Sequence, residues 1–269
     1  MENSLFSKPR DLFLDIVNPR DYVQIDSVSY MYQNLKTSVQ KPLKMILLYG
    51  KPGTGKSMLL HKLHHDLSKH QKVFMIDIPI IDEGDFLRVL AQKIYSYVNR
   101  EAITLTDFLE LASAVNYTQT PIVLLDEAQL YTPILMEKIR LISDARALKF
   151  VIALHKTENE DIIAKEHFQT RIWESIELKN ASPEELKVYI QKKLLKANCF
   201  DVASMFNDKN IHLISKLTRG NYRDANKLMF SLFTLYAWYE ENYPTKIKHN
   251  ALKTKWIEMA AIHTGLIRA

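Results

Sequence analysis

The stretch Leu47-Leu48-Tyr49-Gly50-Lys51-Pro52-Gly53-Thr54-Gly55-Lys56-Ser57 decides the fold of this chain. It reads as a buried strand that runs into a glycine-rich loop and then a helix. Gly50, Gly53, Gly55, Lys56 and Ser57 satisfy the spacing G-x-x-x-x-G-K-[ST]. Glycines there let backbone N–H groups turn inward around phosphate oxygens with no Cβ in the way. The spacing puts Lys56 on the β- and γ-phosphates of a nucleoside triphosphate and the Ser57 hydroxyl on Mg2+. Met58-Leu59-Leu60-His61-Lys62-Leu63 continues with helical periodicity, so the anion meets the positive end of a helix dipole. Gly50, Lys51, Pro52, Gly53, Thr54, Gly55, Lys56, Ser57 and Met58 are therefore the expected nucleotide-binding residues. The bland alternative is a chance glycine turn, against which the flanking strand and helix argue.

Outward from this loop the chain alternates. Residues 45–49 are continuously apolar, as in strands covered on both faces, and 72–78, 121–127, 148–154 and 172–178 read as further strands. Helical patterns cover 55–68, 86–98, 106–114, 133–143 and 158–170. Such alternation means a parallel sheet with helices on both faces and a ligand at the carboxyl ends of the strands. After residue 178 only helical patterns remain. Ser182-Pro183-Glu184-Glu185 is a capping box with proline at the first helical position, which starts a helix running to about residue 196. Helices over 211–217, 222–241 and 250–262 follow. The expected domains are an N-terminal lead-in at 1–41 with a helix over 27–39, a nucleotide-binding core at 42–179 and a helical lid at 180–269.

Size and composition set outer bounds. At 269 residues the chain can bury a full core without covalent staples. Cys199 is the single cysteine, so no disulfide framework exists, which fits a reducing compartment. Glu2, Lys8, Arg10, Asp11 and Asp15 interrupt the N-terminal apolar residues, so no secretory signal is read there. The longest apolar stretch, 228–239, is too short to span a bilayer. The expectation is a cytoplasmic protein. A net charge of +5 permits contact with nucleic acid or an anionic membrane face without requiring either.

Asp126 and Glu127 follow four apolar residues at a strand end, the place of a Walker B pair in a P-loop sheet. Asp126 is expected to hold the Mg2+ shell, and Glu127 to orient and deprotonate the attacking water. Two solvated loop acids are the alternative.

With these motifs in order, the sequence resembles AAA+ ATPases, and within them the ExeA/GspA and MshM type associated with type II secretion and type IV pilus or DNA-uptake machinery. The resemblance rests on residues 50–57, on Val123-Leu124-Leu125-Asp126-Glu127-Ala128-Gln129, on Gln169-Thr170-Arg171-Ile172, on Tyr189-Ile190 with residues 194–198, and on residues 220–228. It implies an α/β P-loop NTPase fold with five parallel strands in the order 5-1-4-3-2, a helical lid, and ATP with Mg2+ as cofactors. It also implies hydrolysis, a homo-oligomer and an inner-membrane partner in an envelope machine, with peripheral attachment through that partner. Carried over by position, Arg171 falls where an arginine finger would reach a neighbour's γ-phosphate; a surface arginine paired with Glu166 or Glu174 is the alternative. Arg223 falls on the sensor-2 position, against a plain salt bridge within the lid. Where sensor 1 normally offers a small polar side chain or an amide, this chain reads Leu154-His155-Lys156. His155 is open between donating a hydrogen bond to the attacking water and capping the strand end.

Three other features have a bland reading and a sharper one. His61, His64 and His65 share a helix side, as a solvated face or metal ligands. Residues 228–239 are lid core or a docking surface. Lys246, Lys248, Lys253 and Lys255 with Trp256 form a basic helix, solvated or in contact with phosphate backbone or lipid. The leading functional expectation is an ATPase that powers or regulates an envelope machine. The alternatives are a nucleic-acid ATPase of the transposition-helper or clamp-loader kind, motivated by the basic helix, and a nucleotide switch with negligible turnover, motivated by His155.

Overall fold

The computed structural model describes residues 4–97, 103–115, 119–155, 172–247 and 251–267. Five strands, β1 (Met45–Gly50), β2 (Val73–Ile76), β3 (Ile122–Leu125), β4 (Lys149–His155) and β5 (Ile172–Leu178), form one parallel sheet in the order β2-β3-β4-β1-β5. Read from the other edge, this is the expected order. β1, β3 and β4 lie inside the sheet, and their interior residues are buried on both faces, which is why they read as unbroken apolar runs. β5, at an edge, alternates instead.

Contacts divide the chain into two units. The first comprises Val28–Pro52 and Lys56–Leu178. Its helices, where described, are most of α2 (Asp26–Ser38), α3 (Lys56–Leu67), α4 (Glu83–Tyr95), α5 (Leu105–Ser113) and α6 (Pro133–Asp144). Side-chain caps fix several starts: Asp82 accepts from the Asp85 N–H, Thr104 and Asp107 form a capping box, and Thr132 accepts from the Leu135 N–H ahead of Pro133. Phe86, Leu90, Phe108, Ile139 and Phe150 are fully buried in its core.

The second unit comprises Met1–Ser27, Gly53–Gly55 and Lys179–Ala269. It contains α1 (Ser7–Asp11), α7 (Pro183–Lys196), α8 (Phe200–Ser204), α9 (Asp208–Thr218), α10 (Tyr222–Asn242) and α11 (Thr254–His263). The capping box at Ser182 and Glu185 forms as read. Phe6 and Phe13, from the segment expected as a lead-in, are buried in this helical core against Phe233 and Tyr236. Glu240 accepts from Ser4 Oγ and from the Leu5 N–H, fastening the start of that segment to α10.

Several sequence expectations are corrected here. β2 and β3 are four residues each, not seven, because their ladder runs only from Val73 paired with Ile122 to Ile76 paired with Leu125. α9 starts at Asp208 rather than 211, because Asn207 caps it by accepting from the Asn210 N–H. The five-residue α8 has no counterpart in the sequence reading; it is too short for a helical period to show. The helical pattern at 158–170, Arg171 and Lys248 lie outside the described residues.

Within α10, Leu228, Met229, Leu232, Phe233 and Tyr236 are buried, which favours lid core for residues 228–239, while Trp238 keeps 42% of its surface exposed. Trp256, read as part of a basic surface, is buried instead. Its ring lies 5.1 Å from that of Tyr236 and 4.1 Å from that of Tyr239, while Lys253 Nζ donates to the Lys246 carbonyl. Burial raises the Cys199 thiol above its ordinary pKa, the profile of a small buried hydrophobe rather than a nucleophile. No described helix is long and apolar enough to cross a membrane.

A candidate nucleotide site at the carboxyl edge of the sheet

β1 ends at Gly50, and α3 begins six residues later at Lys56. The turn between them needs two left-handed backbones, supplied by Gly53 (φ +78°) and Gly55 (φ +98°). Gly50 needs none; it closes the β1 ladder opposite His155. Thr54 and Lys56 are buried, Lys56 at 4% exposure. A buried ammonium requires partners, and Lys56 Nζ donates to the carbonyls of Gly50 and Lys51 at 2.9 and 3.0 Å. The lysine is thereby folded back over the loop it follows. Ser57 and Met58 are in the first turn of α3, where N–H groups have no intrahelical acceptor and the helix dipole is positive. Lys51 and Pro52 are exposed at the loop's outer side.

Asp126 follows the last residue of β3 and is 5% exposed. Its N–H donates to the Ile76 carbonyl, and its Oδ1 accepts from the Glu127 N–H at 2.9 Å. Both interactions hold the buried carboxylate at the strand end. Since β4 lies between β1 and β3, the end of β4 separates this acid from the loop. His155 is that end.

Glu127 takes a left-handed backbone (φ 51°, ψ 36°) and leads into a single 3-10 turn, Ala128–Leu130. Its side chain is half-buried. His155 Nε2 lies 3.2 Å from Glu127 Oε1, and Gln129 Nε2 donates to Glu127 Oε2. Gln129 Oε1 accepts from the His155 backbone N–H at 3.1 Å, and its Nε2 lies 3.3 Å from His155 Nδ1. The structure thus brings Glu127 and His155 together through Gln129, which the sequence reading quoted in the stretch 123–129 but gave no role. Its sequence signal is its place two residues after Glu127, at the end of that stretch.

A metal can be tested on the donor set. One buried carboxylate, Asp126, and one hydroxyl, Ser57, suit Mg2+, which keeps waters and phosphate oxygens as most of its ligands. Among the described residues no group of three or more His, Cys, Asp or Glu side chains is arranged to hold a metal ion. His61, His64 and His65 are thus not gathered into such a group. His64 is held below the ordinary histidine pKa by burial and then by its neighbour His61.

Arg223 belongs to the helical unit, at the second position of α10, where Asn221 caps the helix. Its Nε is 3.7 Å from Asp15 Oδ2, with both side chains about half exposed, a weak surface contact. Of the alternative partners named for Arg171, Glu174 accepts from Ser38 Oγ at 2.6 Å and pairs with Lys41.

The sheet order, the loop and the acidic strand end define a P-loop NTPase fold of the AAA+ class. The comparisons agree. Residues 40–163 match a family model described as an AAA domain. Among solved structures, the chain is similar to Cdc6p from Pyrobaculum aerophilum, at 17% identity and TM-score 0.62 over 87% of this chain and 66% of that one. The Walker-type ATPase PABY2304 of Pyrococcus abyssi gives 14% and 0.63, over 94% and 76%. The Aeropyrum pernix ORC1 protein in complex with DNA gives 14% and 0.65, over 94% and 69%. The chain therefore spans about two thirds to three quarters of these structures, and identities this low establish the fold alone. No curated protein matches the sequence.

Proposed function

We propose that this chain binds ATP with Mg2+ and hydrolyses it. The observation that carries the reading is the conjunction, on one sheet edge, of Lys56 folded into a two-glycine turn and the Asp126–Glu127 pair at a strand end. In this reading the loop N–H groups and Lys56 cradle the phosphates. Ser57 and Asp126 would hold Mg2+, which would supply charge neutralisation on the transferring phosphate. Glu127 orients a water and takes its proton. The water oxygen bonds to the γ-phosphorus, the bond from that phosphorus to the β–γ bridging oxygen breaks, and ADP leaves with that oxygen. In a homo-oligomer Arg171 of a neighbouring copy serves as an arginine finger that neutralises charge on the transferring phosphoryl group, and Arg223 serves as the sensor-2 residue that reports nucleotide state.

A Glu127→Gln variant tests this directly. It is expected to keep Mg·ATP binding and lose turnover by about 100-fold or more, the usual contribution of a general base. Unchanged turnover would remove Glu127 from that role, and no turnover in the parent under any condition would leave a nucleotide switch.

The client of the ATPase is a finer proposal. The resemblance to the ExeA/GspA type supports an envelope machine reached through a membrane partner. The similarity to ORC1 in complex with DNA and to the Thermotoga maritima RuvB Holliday junction branch migration motor supports nucleic acid. Trp256 is no stacking platform for bases, so the nucleic-acid reading rests on phosphate contacts by lysines. DNA retention that falls steeply with added salt would favour it. Salt-insensitive absence of retention, with recovery in membranes when a partner is present, would favour the envelope reading.

A further inference from the structure

Resting on the reading of Glu127 as the base, we propose that Gln129 is the positioning residue that orients it, acting jointly with His155. The left-handed backbone at Glu127 starts the turn at Ala128–Leu130 that carries Gln129 back toward the end of β4. There the polar contacts form a closed set. The Gln129 amide NH2 has two protons, with Glu127 Oε2 and His155 Nδ1 as their acceptors. Gln129 Oε1 accepts from the His155 backbone N–H. His155 Nε2 faces Glu127 Oε1.

A neutral imidazole carrying its proton on Nε2 satisfies every pair in this set, and rotating the Gln129 amide would set its oxygen against a carboxylate oxygen and its NH2 against an N–H. Each oxygen of the Glu127 carboxylate thus faces its own nitrogen, Gln129 Nε2 through a hydrogen bond and His155 Nε2 at 3.2 Å, and both are tied to β4, a central strand of the sheet. A carboxylate on a half-exposed turn is otherwise free to rotate about its side-chain torsions. A base must stand within hydrogen-bond reach of the water whose proton it takes, and loss of orientation reaches kcat before it reaches nucleotide affinity. In this proposal His155 acts as a partner of Glu127, a role beside the two read for it from the sequence, holding the attacking water and capping the strand end.

The experiment uses the full chain with Mg·ATP. Gln129→Leu keeps the size and removes both donors and the acceptor; Gln129→Glu keeps the reach and sets a like charge beside Glu127. Both are expected to bind Mg·ATP within about twofold of the parent, which also shows that they fold. Their kcat should fall by roughly 10- to 100-fold, the contribution of a hydrogen bond to a charged group. Single-turnover measurements then place Gln129→Leu in a Glu127→Gln background. No further loss is expected there, because the residue acts only through the carboxylate. Parent-like kcat in Gln129→Leu, or an equal loss in the Glu127→Gln background, overturns the inference while leaving Glu127 as the base. A Glu127→Gln variant as active as the parent, or a parent with no turnover, removes the underlying reading and this inference with it.

Discussion

Replacing Phe6 by alanine should destabilise the helical unit although Phe6 lies more than two hundred residues from most of that unit's core. The Phe6 ring is fully buried, 4.8 Å from the ring of Tyr236 and 6.2 Å from that of Phe233. A buried phenylalanine removes about 150–200 Å² from water, which at roughly 25 cal/mol per Å² amounts to about 4–5 kcal/mol. Truncation to alanine retains a small part of this and leaves a cavity, so a loss of about 3–5 kcal/mol is expected. Phe6→Leu, which refills most of the volume, should cost only about 1–1.5 kcal/mol. The assay is urea unfolding followed by tryptophan emission in a Trp173→Phe background. That change removes the 75%-exposed indole of β5 and leaves Trp238 and Trp256 to report on the helical unit. With a slope of roughly 1–3 kcal/mol per molar urea, the midpoint should fall by about 1–5 M for Phe6→Ala. A midpoint within about 0.3 M of the parent, for this variant and for deletion of residues 1–14, would refute the assignment of the N-terminal segment to that core.

Further outcomes follow from other parts of the chain. Burial pulls the Asp66 carboxyl upward, but hydrogen bonds from Tyr32 Oη and Lys62 Nζ outweigh it and hold its pKa below the usual range. The stability this adds is fully present above the unfolded carboxyl value of about 4 and is lost as pH falls through the lower folded value. Asp66→Asn should therefore be less stable by roughly 1 kcal/mol at pH 7, with the gap closing below about pH 4; an undiminished gap at pH 3 in urea titrations would contradict this. Gly55→Ala meets no atom within 4 Å, so its effect is backbone strain alone at φ +98°. A lowered melting temperature corresponding to roughly 1–3 kcal/mol, with weaker nucleotide binding, is expected, and parent-like values would show that the loop can relax. Asp126→Asn should raise the Mg2+ concentration needed for tight nucleotide binding by about tenfold or more, and a titration curve superimposable on the parent's would exclude Asp126 from the metal shell.

The parts of this fold visible in the sequence are those with a local signature. Residues 45–50 and 122–125 are apolar without interruption because they are buried on both faces, and the loop glycines mark themselves by spacing. What stayed hidden depends on contacts between distant residues. Phe6 and Phe13 are seven residues apart, a helical spacing, but the stretch is short and broken by Pro9 and charged residues, so nothing nearby announces that they fill a core built by residues 181–261. Gln129 and His155 are 26 positions apart and meet only because β3 and β4 are neighbours. Trp256 was masked by the lysines around it, whose charged ends stay in water while the helix beneath them is buried. The same limit applies to chemistry: the motif names Lys56 and Glu127, but the network that orients Glu127 is a property of the folded sheet.

The central claim is that Lys56 and its loop grip the phosphates of ATP, and calorimetric titration of Mg·ATP into the parent and into Lys56→Ala tests it most directly. Charge-assisted hydrogen bonds from an ammonium to phosphate contribute about 1.5–3 kcal/mol each, so the account predicts binding by the parent and a Kd weakened by roughly 100-fold or more in the variant. Absence of binding by the parent, or equal affinity in the two proteins, would contradict it.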